Sequence, residues 1–206
     1  MTDPGAPTAE DRVLTVPNLI TAVRLACLPL YLYLLFGRDN RAAAALLLAA
    51  LGATDWVDGY IARHFDQVSN LGKVLDPVAD RLLFFVGIGA ILVDGAAPFW
   101  FSVLVLAREL VVSIAVLVLA ALGARRIDVT WWGKAGTFCL MFAFPLFLAG
   151  ASTLGVADLF TLAGWGFGIP GIVLSYYAAF LYIPLGLTAL REGRAARQTG
   201  LLEEAS

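Results

Sequence analysis

The stretch Asp55-Trp56-Val57-Asp58-Gly59-Tyr60-Ile61-Ala62-Arg63, followed eight residues later by Gly72-Lys73-Val74-Leu75-Asp76-Pro77-Val78-Ala79-Asp80, decides how the chain is read. It sets Asp55, Asp58, Asp76 and Asp80 within 26 residues, and each lies in or beside an apolar run. An ionised carboxylate within a bilayer costs several kcal/mol unless it is paired or holds a metal. Asp55 and Asp58 are i,i+3 and share a helical face, as do Asp76 and Asp80 at i,i+4. A short connection between the pairs lets their two helices run antiparallel, so both pairs meet at one end. Four carboxylates aimed at one point repel without counter-charge. Hard divalent cations answer that need, and carboxylates with water suit Mg²⁺ or Mn²⁺. Two ions a few Å apart would clamp a pyrophosphate and ease departure of a phosphate.

Outward from this stretch the chain is apolar. Of its 206 residues 60% are hydrophobic and 15% charged, and the mean hydropathy is +0.83. A soluble domain carries about 25% charged residues. A spanning helix needs about 20 apolar residues, and six segments qualify: 19–36, 42–60, 75–93, 99–122, 132–154 and 160–190. The last is expected to include a short interfacial piece before Pro170. Pro17 suits a first helical turn, and a short interfacial helix is expected to lead into the first span. Pro77 suits a first turn too. The expected fold class is all-α: a polytopic membrane protein, six transmembrane helices around a cytoplasm-facing polar cavity, in a single domain over 1–206. The tails, about 1–12 and 195–206, read as disordered.

Charge sets orientation. With six spans both termini share one side, which holds Arg12, Arg63, Lys73, Arg81, Arg125, Arg126, Lys134, Arg191, Arg194 and Arg197, against Arg38 and Arg41 opposite. Both termini and the active site are therefore expected on the cytoplasmic face of the cell membrane. The polar start, through Arg12, does not resemble a cleaved signal peptide. The net charge of −2 and the lack of a long basic run argue against a nucleic-acid partner. Cys27 and Cys139 read as small core residues.

The string Asp55-x2-Asp58-Gly59-x2-Ala62-Arg63-x8-Gly72-x3-Asp76-x3-Asp80 matches every fixed position of the signature of the CDP-alcohol phosphotransferase (phosphatidyltransferase) family, which the chain resembles over about residues 12–190. The resemblance implies transfer of a phosphatidyl group from CDP-diacylglycerol to an alcohol with release of CMP. It implies Asp55, Asp58, Asp76 and Asp80 as ligands of two Mg²⁺ or Mn²⁺ ions, and Asp80 as catalytic base. Asp55, Gly59, Ala62, Arg63 and Gly72 would hold the CDP part. It also suggests a homodimer.

Pro17-Asn18-Leu19-Ile20-Thr21-x2-Arg24 resembles the N-terminal element of phosphatidylglycerophosphate synthases and related cardiolipin synthases, and Ala107-Arg108-Glu109 and Gly133-Lys134 resemble the phosphatidylglycerophosphate synthase branch. That branch usually has another lysine and a glutamine soon after, and here the run is Ala135-Gly136-Thr137-Phe138-Cys139-Leu140. The fifth segment is closer to an actinobacterial branch that includes cardiolipin synthases. Two acceptors stay open, glycerol 3-phosphate, favoured by Ala107-Arg108-Glu109, and phosphatidylglycerol.

Other residues keep two readings. Arg108 either meets the acceptor phosphate or pairs with Glu109 to tie helices. Lys134, Arg125 and Arg126 either bind acceptor or only set topology. Arg24 either holds donor pyrophosphate or snorkels to the interface. Trp131 and Trp132 read as interfacial anchors, and Asp94 and Asp158 as water-facing. His64 is assigned no metal role. An ion-coupled transporter would explain intramembrane acids, but not the glycines and arginine at fixed spacing.

Overall fold

The computed structural model describes residues 16–64, 70–124 and 130–204; side chains are described there except at 16–17, 55–64, 70–77, 194 and 196–204. Those residues form six helices and no strand: α1 Val16–Leu32, α2 Arg41–His64, α3 Asn70–Asp94, α4 Phe99–Ala121, α5 Trp131–Gly150 and α6 Ala157–Glu204. Four helical stretches are apolar and long enough to cross a bilayer: Asn18–Gly37, Phe99–Ala121, Trp131–Gly150 and Ala157–Gly193. In α2 the apolar stretch is described over Arg41–Thr54, up to the last residue of that helix whose side chain is described. The protein is a polytopic, all-helical membrane protein.

Local chemistry sets the boundaries. Pro29 removes a backbone donor inside α1, and the helix closes in a π-helical turn, Tyr33–Gly37. Asp39 then takes a left-handed φ of 48°, and the Asn40 side chain accepts the Ala43 N–H at 3.0 Å to cap α2. Thr130 caps α5 by accepting the Gly133 N–H at 3.3 Å. Pro98 precedes α4 in extended conformation.

The structure departs from the sequence reading at several ends. α1 runs from Val16 straight into the first span, with Pro17 in its first turn and no separate interfacial helix among the described residues. α6 is continuous through Pro170 and Pro184, so no interfacial piece is split off before Pro170. Both prolines are exposed, while Gly168 and Gly171 beside Pro170 pack against Phe147 and Leu140 of α5. α6 reaches Glu204, so the stretch from residue 195 read as a disordered tail is helical in backbone that far; the tail at 1–12 lies outside the described residues. α3 starts at Asn70, which puts Pro77 inside the helix rather than in its first turn.

The two ends of the bundle differ. Tyr31, Leu35, Ala44, Ile91, Phe101, Val105, Phe144 and Phe147 belong to one buried core. In an up-and-down chain they share one level: late α1, early α2, late α3, early α4 and late α5. Phe101 packs on Phe144 and Phe147 with centroids 5.6 and 5.5 Å apart. At this end Arg41 Nε donates to both oxygens of Asp94, at 3.2 and 3.0 Å. Asp94 is only 6% exposed, so it does not face water as the sequence suggested; the start of α2 covers it. Asp158 stays in the first turn of α6.

Toward the opposite end several buried side chains are polar: Asn18, Thr21 and Arg24 on α1, Arg108 and Ser113 on α4, Ser175 on α6. Helices α5 and α6 pack closely here. A Cβ on Gly136 would come within 2.8 Å of the Ser175 backbone nitrogen. Small residues give membrane helices such contact. Trp131 and Trp132 stand exposed at the start of α5, as interfacial anchors do.

Candidate active site

Asp55, Asp58, Gly59, Ala62 and Arg63 fall on the last turns of α2, and Gly72, Asp76 and Asp80 on the first turns of α3. The side chains of the first seven lie outside the described residues. Their helices are fixed at both ends. Residues 64 and 70 are six residue steps apart, about 21 Å at full extension, and the Arg41–Asp94 contact joins the other ends. The two helices therefore run antiparallel, as the spacing of the acids predicts.

Asp80 is the described member of the set. It lies at the polar level and is 47% exposed, and its Oδ1 accepts a hydrogen bond from Arg24 Nη1 at 2.8 Å. Arg24 itself is 2% exposed, so it neither snorkels nor reaches outward. Asn18, Thr21 and Arg24, at i, i+3 and i+6, put three polar side chains on the buried face of α1.

Asp80 lines a cleft of ≈ 250 Å³ between α2, α3, α4 and α5. Its other polar side chains are Arg81, Glu109 and Thr137, and Leu48, Phe84, Leu140, Met141 and Phe144 form apolar wall. The cleft thus pairs a carboxylate-bearing end with an apolar body, which suits a lipid-linked substrate.

Arg108 and Glu109 diverge, as neighbours on a helix must, by about 100°. Arg108 is buried; its Nε donates to the Ser175 carbonyl on α6 at 3.1 Å and its Nη1 to Glu109 Oε2 at 2.7 Å. Arg108 thus ties α4 to α6 in this structure, and Glu109 lines the cleft. Lys134 is exposed in the first turn of α5 and does not line the cleft. Arg125 and Arg126 lie outside the described residues. Sequence reasoning missed Arg81, Glu109 and Thr137 as cleft residues. The signal for Glu109 was present: a fifth acid in an apolar segment, one position from a residue that already had a tie.

A polytopic helical membrane protein with a cleft polar at one end and apolar along its body is the framework of an enzyme that works on lipids. The chain belongs to the CDP-alcohol phosphatidyltransferase family, whose model matches residues 14–183. It is an enzyme of phospholipid biosynthesis, one that transfers phosphatidyl groups from a CDP-linked donor. It is 37% identical over 193 residues to a protein of Streptomyces coelicolor named "Cardiolipin synthase (CMP-forming)", covering 87% of this chain and 90% of that one. It is 32% identical over 194 residues to a "Probable phosphatidylglycerophosphate synthase" of Mycobacterium tuberculosis, covering 91% and 88%. A "CDP-diacylglycerol--glycerol-3-phosphate 3-phosphatidyltransferase" of Bacillus subtilis is 35% identical over 122 residues, 52% of this chain and 63% of that one.

Proposed function

We propose that the protein transfers the phosphatidyl group of CDP-diacylglycerol to the glycerol headgroup of phosphatidylglycerol, giving cardiolipin and CMP. The likeness to a CMP-forming cardiolipin synthase over most of both chains carries this choice of acceptor. The α5 side of the cleft supports it. Thr137, Leu140, Met141 and Phe144 supply one hydroxyl and apolar surface there, with no cation. Gly136 is pressed on the α6 backbone and leaves no room for a long cationic side chain. A doubly charged soluble phosphate would find little to hold it on that wall; a lipid acceptor would.

Glycerol 3-phosphate is the second reading. Ala107-Arg108-Glu109 and Lys134 favour it in the sequence, and exposed Lys134 could meet a phosphate at the mouth of the site.

Asp55, Asp58, Asp76 and Asp80 would hold two Mg²⁺ or Mn²⁺ ions. The described donor fits: Asp80 presents a half-exposed carboxylate with one oxygen on Arg24, the hard oxygen chemistry such ions take. When bound, the ions neutralise the pyrophosphate and stabilise the departing CMP. The chain's own residues do the rest. Asp55, Gly59, Ala62, Arg63 and Gly72 receive the CDP part, with Arg63 donating to phosphate oxygens. Asp80 takes the proton of the attacking hydroxyl. Arg24 fixes the rotamer of Asp80. Both termini and this site face the cytoplasm in a six-span arrangement, supported by the distribution of Lys and Arg.

The test is direct. Purified enzyme in vesicles receives CDP-diacylglycerol with labelled phosphatidylglycerol or labelled glycerol 3-phosphate, and the lipid product is identified. Labelled cardiolipin is expected from the first mixture and little phosphatidylglycerophosphate from the second; the reverse pattern overturns the choice of acceptor. Chelator should abolish CMP release, and Mg²⁺ or Mn²⁺ restore it. Full activity in excess chelator removes the metal assignment.

A further inference from the structure

Glu109 is the cleft group that the reaction as described does not use. A carboxylate in an apolar segment accepts hydrogen bonds and donates none, and burying it without partners is costly. Arg108 satisfies Oε2 at 2.7 Å. Among the described residues Oε1 takes no hydrogen bond, and Glu109 keeps 24% of its side chain exposed while lining the same cleft as Asp80. Its position is fixed in turn. The guanidinium that holds Oε2 is anchored through Nε on the α6 backbone at Ser175. That carbonyl belongs to the α6 segment against which Gly136 packs. Such a chain of contacts preorganises a carboxylate toward a ligand.

We propose that Glu109 is an acceptor-binding residue that reads the vicinal diol of a glycerol-type acceptor. This rests on the reading above, in which Asp80 receives the attacking hydroxyl. The hydroxyl on the neighbouring carbon donates its hydrogen bond to Glu109 Oε1. The oxygen of the attacking hydroxyl bonds to the phosphatidyl phosphorus, the bond from that phosphorus to the CMP oxygen breaks, and the proton passes to Asp80. Glu109 exchanges no proton and only orients the diol. The carboxylate of Glu109 matches a hydroxyl donor and repels a phosphate. Glycerol 3-phosphate and the headgroup of phosphatidylglycerol both carry adjacent hydroxyls, so one contact serves either acceptor.

The experiment pairs enzyme variants with an acceptor lacking one hydroxyl. Full-length enzyme is assayed for CMP release with phosphatidylglycerol and with the analogue whose headgroup is propane-1,3-diol. The pair glycerol 3-phosphate and 3-hydroxypropyl phosphate is run alongside. The wild type should prefer the diol by about 10- to 100-fold in kcat/KM, the size of one charge-assisted hydrogen bond. Glu109→Ala should collapse that ratio to within about threefold. Glu109→Gln, which retains a carbonyl acceptor and keeps a partner for Arg108, should preserve part of the preference and the fold. Equal loss on both acceptors in both variants would mean that Glu109 only ties helices, and would overturn the proposal. So would a wild type indifferent to the missing hydroxyl. A wild type that releases no CMP with any of the four acceptors overturns the acceptor reading as well, and that outcome is visible before any variant is made.

Discussion

Arg24 sits on α1, 56 positions from Asp80 in the chain, yet its guanidinium donates to this carboxylate at 2.8 Å. The two roles open to a buried arginine here predict different kinetics. If it orients Asp80, Arg24→Lys should lower kcat by about 10-fold or more and leave the KM for CDP-diacylglycerol within about twofold, since one charge-assisted contact to a half-exposed carboxylate is altered. If it holds donor pyrophosphate, the donor KM rises instead. Steady-state kinetics at saturating acceptor separates the two, and a rise in donor KM at constant kcat would exclude the orienting role. Residues of this kind show how far the sequence could be read. The acids were legible because a membrane penalises each of them and their spacing gives the faces. Partners were not: nothing in Asn18-x2-Thr21-x2-Arg24 says that its polar face meets α3. For Arg108 and Glu109 the pair was legible, but which member faces α6 and which the cleft depends on the rotation of α4.

Among the helices, α5 and α6 carry the tightest contact. A methyl group on Gly136 would lie 2.8 Å from the nitrogen and 3.1 Å from the Cα of Ser175, backbone atoms that cannot turn aside. Gly136→Ala should therefore cost about 1–3 kcal/mol as overpacking and lower the midpoint of thermal unfolding in detergent by roughly 2–12 °C. Gly166→Ala is the control. It has nothing within 4 Å of its built Cβ and should hold or raise the midpoint, as glycine-to-alanine in a helix interior does. Equal midpoints for the two variants would mean that α5 and α6 are not locked at Gly136. Hydrophobic runs reported all six helices and the start of α4 at Phe99. They could not report the passage of α6 through Pro170 and Pro184, because a proline's effect depends on what packs beside it. Nor could they report the π-helical turn after α1, where the Arg38 N–H bonds to the Tyr33 carbonyl at 2.9 Å.

Across the whole molecule the two ends have separate duties: an aromatic and aliphatic core at one level, a polar cleft at the other. The proposed orientation puts the cleft on the cytoplasmic side. In a variant with Cys27 and Cys139 replaced, single cysteines at Ser69 and Gln198 should react with a membrane-impermeant maleimide only after the cytoplasmic face is opened, and cysteines at Asp39 and Gly95 from outside. Labelling of position 69 from outside in intact cells would put the acids on the wrong face for a cytosolic CDP-lipid and would end the six-span scheme as drawn. That scheme rests on charge alone, ten Lys and Arg against two. The level of the core was not, since Phe101, Phe144 and Phe147 look like any other residues of apolar runs.

The clasp between Arg41 and Asp94 has a consequence for how such a chain enters a membrane at all. In the sequence Asp55 and Asp58 interrupt the apolar run of α2 short of the about 20 apolar residues a bilayer requires, and the helix begins with the cation Arg41. Emerging alone from the ribosome, it has little reason to leave the aqueous channel of the insertion machinery for lipid. Once α3 follows, Asp94 neutralises Arg41 at 3.0 Å, and both charges can be withdrawn from water together. The two helices that carry the four motif aspartates are then expected to partition as one hairpin, late and jointly, rather than one after the other in the order of synthesis.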